Sequence, residues 1–188
     1  MKAFSRALFA FILFSILTGL AYPFAIAGLA RLLFADKAAG SLIIANNRVV
    51  GSSLIGQKFT APRYFHGRPS ASDYDATNSG GTNFAPSNGK FIGEVGKRIG
   101  SIRQENGLSE AAAVPADLAL ASASGLDPDI TLQAALIQAG RVAKARGLSE
   151  KRVSALVRAC AGRVYGFTGD EIVNVLALNL ALDGLEKR

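Results

Sequence analysis

The single histidine of the chain, His66, lies close to Ser70 and Asp73, which supplies the three side-chain types of a hydrolytic triad. Such triads are set by folding rather than by neighbourhood in sequence, and no strained nucleophile turn of the Gly-x-Ser-x-Gly type accompanies these residues. The trio is therefore a weak hydrolase signal. One histidine and one cysteine, Cys160, are too few for the familiar zinc ligand sets. Cys160 follows Leu156 and Val157 in a helical pattern and reads as a small buried thiol. Asp127 and Asp129 lack the loop spacing and closing Glu of a calcium-binding EF-hand, and acidic residues at this point suit a helix entry. Ser79-Gly80-Gly81-Thr82-Asn83 lacks the Gly-Lys-Ser/Thr ending of a phosphate-binding loop and reads as a turn. Arg63, Tyr64, Phe65, Arg68 and Tyr74 form a basic, aromatic-rich group, the composition that marks interface cores. Binding is thus favoured over catalysis.

The elements that must carry these residues fall in two halves. Ser41–Ala45 and Arg48–Ile55 have the short β-branched runs of strands, with Asn46-Asn47 as a hairpin turn. A long polar stretch, Ala61–Asn88, shows no periodicity, and loops of that length in compact domains are commonly functional. Gly89–Asn106 places Phe91, Ile92, Val95, Ile99 and Ile102 at helical intervals. Val114–Ala121 reads as a short strand, and Asp127–Thr131 as the entry to a helix that ends at Arg146 before Gly147. Ser149 caps a second helix reaching Cys160. Thr168 and Glu171 have capping-box spacing ahead of an apolar helix over Ile172–Leu182. The pair of helices joined at Gly147 carries Arg141, Lys144, Arg146, Lys151, Arg152 and Arg158. On spacing alone it resembles a DNA-reading helix-turn-helix, or a basic face for an acidic partner or lipid headgroups.

The N-terminus sets the compartment. From Ala7 to Ala30 there are 24 residues without a charge. As a helix these would extend roughly 36 Å, enough for a hydrocarbon core of about 30 Å. Ser15 and Thr18 can bond back to their own helix, and Pro23 suits either a kink in a span or a break before a cleavage site. Lys2 and Arg6 precede the run, so the short tail is expected in the cytoplasm and the remainder outside. A cleaved signal peptide ending near Ala25-Ile26-Ala27 is the competing reading, although the apolar run is longer than the roughly 7–15 residues of a signal core. Beyond residue 34 there are 18 basic and 14 acidic residues, a mild excess that does not suit a dedicated nucleic-acid binder. One cysteine permits no internal disulfide, so the domain must be held by its own core. The expected fold is one N-terminal transmembrane helix, residues 1–34 with its tail, plus a mixed α/β (α+β) soluble domain over 35–188.

Longer motifs add a resemblance. Gly51-Ser52-Ser53-Leu54-Ile55-Gly56-Gln57-Lys58-Phe59, Tyr64-Phe65, Arg68-Pro69-Ser70-Ala71, Tyr74-Asp75 and Ser79–Asn83 resemble the KdpC family, a subunit of the Kdp-type potassium-transporting ATPases. So do Val114–Leu118, Ala121–Pro128, Arg141–Leu148 and Asn174–Asp183, in the same order over nearly the whole chain. Phe84-Ala85, Ala119-Leu120 and Asp129 depart from the pattern; a histidine is expected at position 129, so no role of that histidine transfers. The resemblance implies a non-catalytic subunit of a bacterial inner-membrane pump. Its partners would be the channel-like potassium-binding subunit, the P-type ATPase subunit and the small hydrophobic subunit of the Kdp complex, with lipid around the span and no nucleic acid. The chain has neither an Asp-Lys-Thr-Gly phosphorylation motif nor a Thr-Val-Gly-Tyr-Gly filter.

No catalytic residue, metal or bound cofactor is expected. ATP enters only through the role credited to the family, raising the ATP affinity of the catalytic subunit, and the outward topology opposes direct contact with cytoplasmic ATP. The expected partner-binding residues are Gln57, Arg63, Tyr64, Phe65, Arg68, Tyr74 and Asp75. Gly19, Ala21, Ala25 and Gly28 would offer close packing to a neighbouring helix. The alternative is a stand-alone membrane-anchored domain that captures a ligand outside the cytoplasm.

Overall fold

The computed structural model describes residues 2–45, 47–164 and 166–185. Two compact units divide the chain, Met1–Val50 and Gly51–Arg188, and the expectation of one long apolar helix followed by a mixed helix and sheet domain is met.

The first unit opens with a continuous helical run, Lys2–Leu33, of mean hydropathy 2.0, none of whose apolar window is buried. It comprises α1 (Lys2–Ile16), a π-helical turn (Leu17–Ala21) and α2 (Tyr22–Leu33). Pro23 explains the turn, since it has no N–H to offer the preceding turn and the ladder must shift register around it. The Tyr22 N–H accordingly reaches Leu17 O, one residue further back than in an α-helix. Thr18 Oγ1 donates to Phe14 O at 2.7 Å, which keeps that hydroxyl satisfied in an apolar setting. Among the described residues no other helix has the length and composition to cross a membrane. A short α3 (Ala35–Ala38) follows, then β1 (Leu42–Ala45) and β2 (Arg48–Ser52), paired as a two-stranded sheet. Asn46 of the expected turn lies outside the described residues, while Asn47 has φ of 60°, the left-handed conformation that Asn tolerates. The first strand starts at Leu42 rather than Ser41, whose φ of 50° is not extended. The second stops at Ser52, where the Ser52 hydroxyl accepts Leu54 N–H at 3.1 Å and turns the chain.

In the second unit α4 (Gly89–Glu105) begins at Asn88, whose side chain accepts the Phe91 N–H. The expected strand at Val114–Ala121 is a correction: Ala116–Ala119 is a helical turn, α5. Pro115, with φ of −55°, is preset for helix entry, and this overrides the β-leaning composition around it. The helix entry expected over Asp127–Thr131 begins later. Asp129–Thr131 is a strand, β3, and Thr131 alone caps α6 (Leu132–Arg146) by accepting Ala134 N–H. Gly147 closes α6 with φ of 66°, and Leu148 N–H returns to Ala143 O at 2.9 Å, the paired bonding of a Schellman end. Ser149 caps α7 (Glu150–Cys160) as expected. Gly162–Arg163 forms the brief β4, too short to leave a strand signal in the sequence.

The capping box at Thr168–Glu171 is the second correction. Glu171–Asn174 is β5, and α8 runs over Val175–Leu185. β5 lies between β3 and β4, antiparallel to both, with Ile130 opposite Val173 and Gly162 opposite Ile172. Pairing on two sides stabilises β-branched Ile172 and Val173 as strand, and Asn174 becomes the cap, accepting Ala177 N–H at 3.1 Å.

Helices α6, α7 and α8 cover this sheet and bury Ile130, Val142, Val157, Val173, Leu178 and Leu182. Among the described residues the one aromatic side chain fully inside is Phe65, with no exposed area, although it belongs to a segment without regular structure. Burying such a ring is worth roughly 1.5–3 kcal/mol. Its backbone is satisfied by a side chain: Phe65 N–H donates to Asn179 Oδ1 at 2.9 Å, and Asn179 Nδ2 donates to Phe65 O at 3.0 Å. Asn179→Leu leaves both groups buried without partners. It is expected to lower stability by about 2–5 kcal/mol, read as a shifted denaturation midpoint of the full chain in detergent, whereas Asn179→Gln loses less.

Candidate functional site

The chemistry-bearing residues sit on one irregular segment, Ala61–Asn88, held against the ends of the sheet and helices by side-chain bonds. Gln138 on α6 extends the pairing made by Asn179. Its Oε1 accepts His66 N–H at 2.8 Å and its Nε2 donates to His66 O at 3.1 Å. Arg141, one turn on, donates to Pro62 O at 2.7 Å, to Tyr64 O at 3.0 Å and to Asn106 Oδ1 at 3.1 Å. Arg146 donates to Arg63 O at 2.7 Å and to Asp183 Oδ1 at 2.7 Å, and lies 4.9 Å from the centre of the Tyr64 ring. The Arg146 side chain has no exposed area. Two cations that sequence spacing put on an outward basic face thus point inward and fasten the loop. The signal available in the sequence was a carbonyl-rich segment with no sheet partner, which guanidinium donors can satisfy.

The next turn is built around Arg68. It donates to Asp127 Oδ2 at 2.8 Å, and its buried Nε has no partner. Tyr74 Oη donates to Arg68 O at 2.5 Å. Burial, and then the charge of Asp127, push the Tyr74 phenol up to about 12 against the opposing pull of Arg68, so it stays a donor at any physiological pH. Ser70 Oγ donates to Gly125 O at 2.6 Å and accepts Tyr74 N–H at 2.9 Å. Gly125 has φ of +68°, and a Cβ there would sit 2.5 Å from Ser72 Oγ and 2.8 Å from Gly80 O; only glycine fits. Gly80 N–H and Ser79 Oγ both donate to Ser124 O at 2.9 Å. The Ser79–Asn83 segment is therefore an extended loop-to-loop joint rather than the expected turn. Neither Gly80 nor Gly81 has positive φ, and a Cβ at Gly81 would lie 3.0 Å from Ala123 O, so close approach of the two loops is what glycine serves here.

These bonds disperse the triad. His66 Nε2 lies 3.2 Å from Ala61 O and Nδ1 lies 3.9 Å from Glu105, Ser70 is committed to Gly125, and Asp73 pairs with Lys58 at 2.6 Å. Cys160 is half-buried and burial raises its thiol pKa, which suppresses the reactive thiolate. Asp127 and Asp129 share a cleft of about 250 Å³ with Arg68 and Asp117. Asp127 accepts Asp129 N–H at 3.1 Å and Asp117 accepts Thr131 N–H at 2.6 Å. Asp129 takes Asn174 Nδ2 at 3.1 Å, and its pKa is raised by burial. Among the described residues no group of three or more His, Cys, Asp or Glu is placed to hold a metal.

Of the seven expected partner-binding residues, Arg63 and Asp75 are exposed, while Gln57, Tyr64, Arg68 and Tyr74 are half-buried. Phe65 is wholly interior. Asp75 accepts Thr77 Oγ1 at 2.7 Å and Thr77 N–H at 2.9 Å, bonds that lower its carboxyl pKa. In the first unit, a Cβ built at Gly19 or Gly28 meets nothing within 4 Å, and Ala21 and Ala25 are exposed.

The sequence profile described as K+-transporting ATPase, c chain, matches residues 4–184. The chain belongs to this family. A "Potassium-transporting ATPase KdpC subunit" of Variovorax paradoxus (strain S110) is 52% identical over 181 residues, covering 94% of this chain and 93% of the relative. That of Caldanaerobacter subterraneus subsp. tengcongensis is 51% identical over 91% of this chain and 89% of the relative. That of Rhodopseudomonas palustris (strain BisB5) is 45% identical over the full length of both. The family is named as one component of the ATPase, in keeping with a chain that is not by itself an enzyme. The loop-to-loop joints described above are made by the motifs that carried the resemblance.

His66 gives this site a pH dependence. Its pKa is lowered, first by burial and then by Arg141, so the fold favours neutral imidazole. Stability is fully present above the unfolded value of about 6.5 and is lost as pH falls below it, where the unfolded chain binds the proton first. The denaturation midpoint is expected to drop between pH 7 and 5 by more than in His66→Gln, and equal slopes would remove His66 as the cause.

Proposed function

We propose that this chain is a non-catalytic accessory subunit of a high-affinity, ATP-driven potassium-uptake complex in the bacterial inner membrane. Carrying the reading is the match to the family over residues 4–184, which takes in the apolar helix as well as the domain. A cleaved signal would not be expected inside a full-length subunit match, so Ala7–Ala30 is read as a retained anchor. The N-terminus is cytoplasmic and the domain over 35–188 periplasmic on this reading, from Lys2 and Arg6 ahead of the span. The partners are the channel-like potassium-binding subunit, the P-type ATPase subunit and the small hydrophobic subunit of the complex. Gly19, Ala21, Ala25 and Gly28 give partner helices a close approach, since small residues let backbones pack where no hydrophobic force separates helix from lipid.

The partner surface is the outer side of the clamped segment, with Arg63 and Asp75 at its exposed positions and Gln57, Tyr64, Arg68 and Tyr74 behind them. Phe65 supports this surface from inside. A loop tied at many points loses little conformational entropy on docking, which suits a subunit whose work is assembly. The credited effect on ATP affinity would then act through the partners, not through nucleotide bound here.

Two measurements test the reading. A chain lacking residues 1–34 is expected to fall away from the purified pump complex, and full retention with full potassium-stimulated ATPase activity would sink the anchoring role. The double reversal Arg63→Glu with Asp75→Lys is expected to weaken retention about tenfold, about 1.4 kcal/mol, while Thr77→Val, which removes one hydrogen bond to Asp75 and leaves both charges, keeps retention.

A further inference from the structure

We propose that the segment from Arg31 to Val50 is an interfacial collar that binds the headgroups of anionic phospholipids. The inference rests on reading Ala7–Ala30 as a retained span, and adds to it a lipid class and the residues that choose it.

The first observation is an unpartnered face. Leu42 is 50% exposed, Ile44 66% and Val49 59%. Leu42 and Ile44 alternate with half-buried Ile43 and Ala45, so the exposed pair shares one side of β1. A lone two-stranded hairpin is marginal in water, and one that turns isoleucine and leucine outward is poorer still. Just before it, Phe34 is 58% exposed, with Lys37 Nζ lying 5.9 Å from its ring centre.

Continuity is the second observation. β1 and β2 as far as Val50 belong to the same compact unit as the apolar helix, and Leu42 is nine residues beyond Leu33. Nine residues reach about 30 Å when fully extended, and the helical turn α3 shortens this. The outward apolar side chains are thus tethered close to the surface that the span crosses.

Charge complementarity is the third. Arg31 to Val50 holds Arg31, Lys37 and Arg48 against the single acid Asp36. All three cations are exposed, and among the described residues no carboxylate forms an ion pair with any of them. Juxtamembrane cations gain about 1 kcal/mol each near an anionic leaflet. Apolar side chains at the same level enter the boundary of headgroup and acyl chain. Together they select anionic over zwitterionic lipid.

The chain contains no tryptophan, so a single introduced indole reports its own surroundings. The full chain carrying Ile44→Trp, and separately Leu42→Trp, is reconstituted in vesicles with brominated acyl chains, either phosphatidylcholine alone or mixed with phosphatidylglycerol. The expected result is blue-shifted, bromine-quenched emission in the mixed vesicles only. High salt reverses it, and Lys37→Glu with Arg48→Glu lowers the bound fraction about fivefold or more for each cation lost. Water-exposed emission from both reporters in a chain that floats with the vesicles overturns the proposal. Equal quenching in both lipids overturns the selection of anionic headgroups. Blue-shifted emission that needs the other pump subunits and resists bromine quenching assigns the face to a protein instead. A chain that fails to float removes the anchor itself, and the collar with it.

Discussion

A buried segment outside any helix or strand must still pair each of its backbone N–H and C=O groups, and this constraint shapes the whole second unit. Phe65 enters the core where no strand lies alongside it. Asn179 supplies the missing strand in miniature, one amide giving the acceptor and the donor that a neighbouring backbone would give. Gln138 repeats the device at His66, and both amides are buried with about 2% exposure. A buried amide left half-paired costs about 1–3 kcal/mol, so the ring, the two amides and the helices that carry them fit together or not at all.

From that anchor the rest of the loop follows by short steps. Arg141 and Arg146 gather the carbonyls of Pro62, Arg63 and Tyr64, Arg68 reaches Asp127, and Ser70 closes on Gly125. Guanidinium groups suit this work because five donors in a fixed fork can serve several carbonyls at once. The outcome is a long segment with almost no regular structure that is nonetheless tied at each turn. Side chains committed in this way are not available to do chemistry. That is the physical reason the triad of His66, Ser70 and Asp73 dissolves on folding.

Much of this was legible in the residues and some was not. The long apolar helix and α4 declared themselves through composition and periodicity, and α6 and α7 through their end signals as well, because these are local: Thr131, Gly147 and Ser149 each bond within a turn of their own position. β5 was hidden because its strand character comes from pairing with β3, about forty residues earlier, and with the two-residue β4, which has no strand signal of its own, while Thr168 and Glu171 imitate a helix start. α5 was hidden because Pro115 outweighs the β-leaning residues on either side. In the candidate surface, the types of Arg63, Tyr64, Phe65 and Arg68 were legible but their direction was not. Only the position of Asn179, more than a hundred residues on, turns Phe65 inward.

The two units satisfy irregular backbone by different local devices. In the helix, Pro23 forces the shift that Tyr22 and Leu17 accommodate; in the domain, amides and guanidiniums do the pairing. A scaffold tied at so many points is suited to recognising one conformation of a partner. By linkage, a subunit that binds the nucleotide-loaded pump more tightly than the empty one raises nucleotide affinity by the same factor, wherever it sits. A tenfold effect needs only about 1.4 kcal/mol of preference between the two states, within the reach of a few rim contacts. An effect on ATP affinity therefore demands no nucleotide site in this chain. It demands a surface that distinguishes two states of the pump, and a rigid one distinguishes them best.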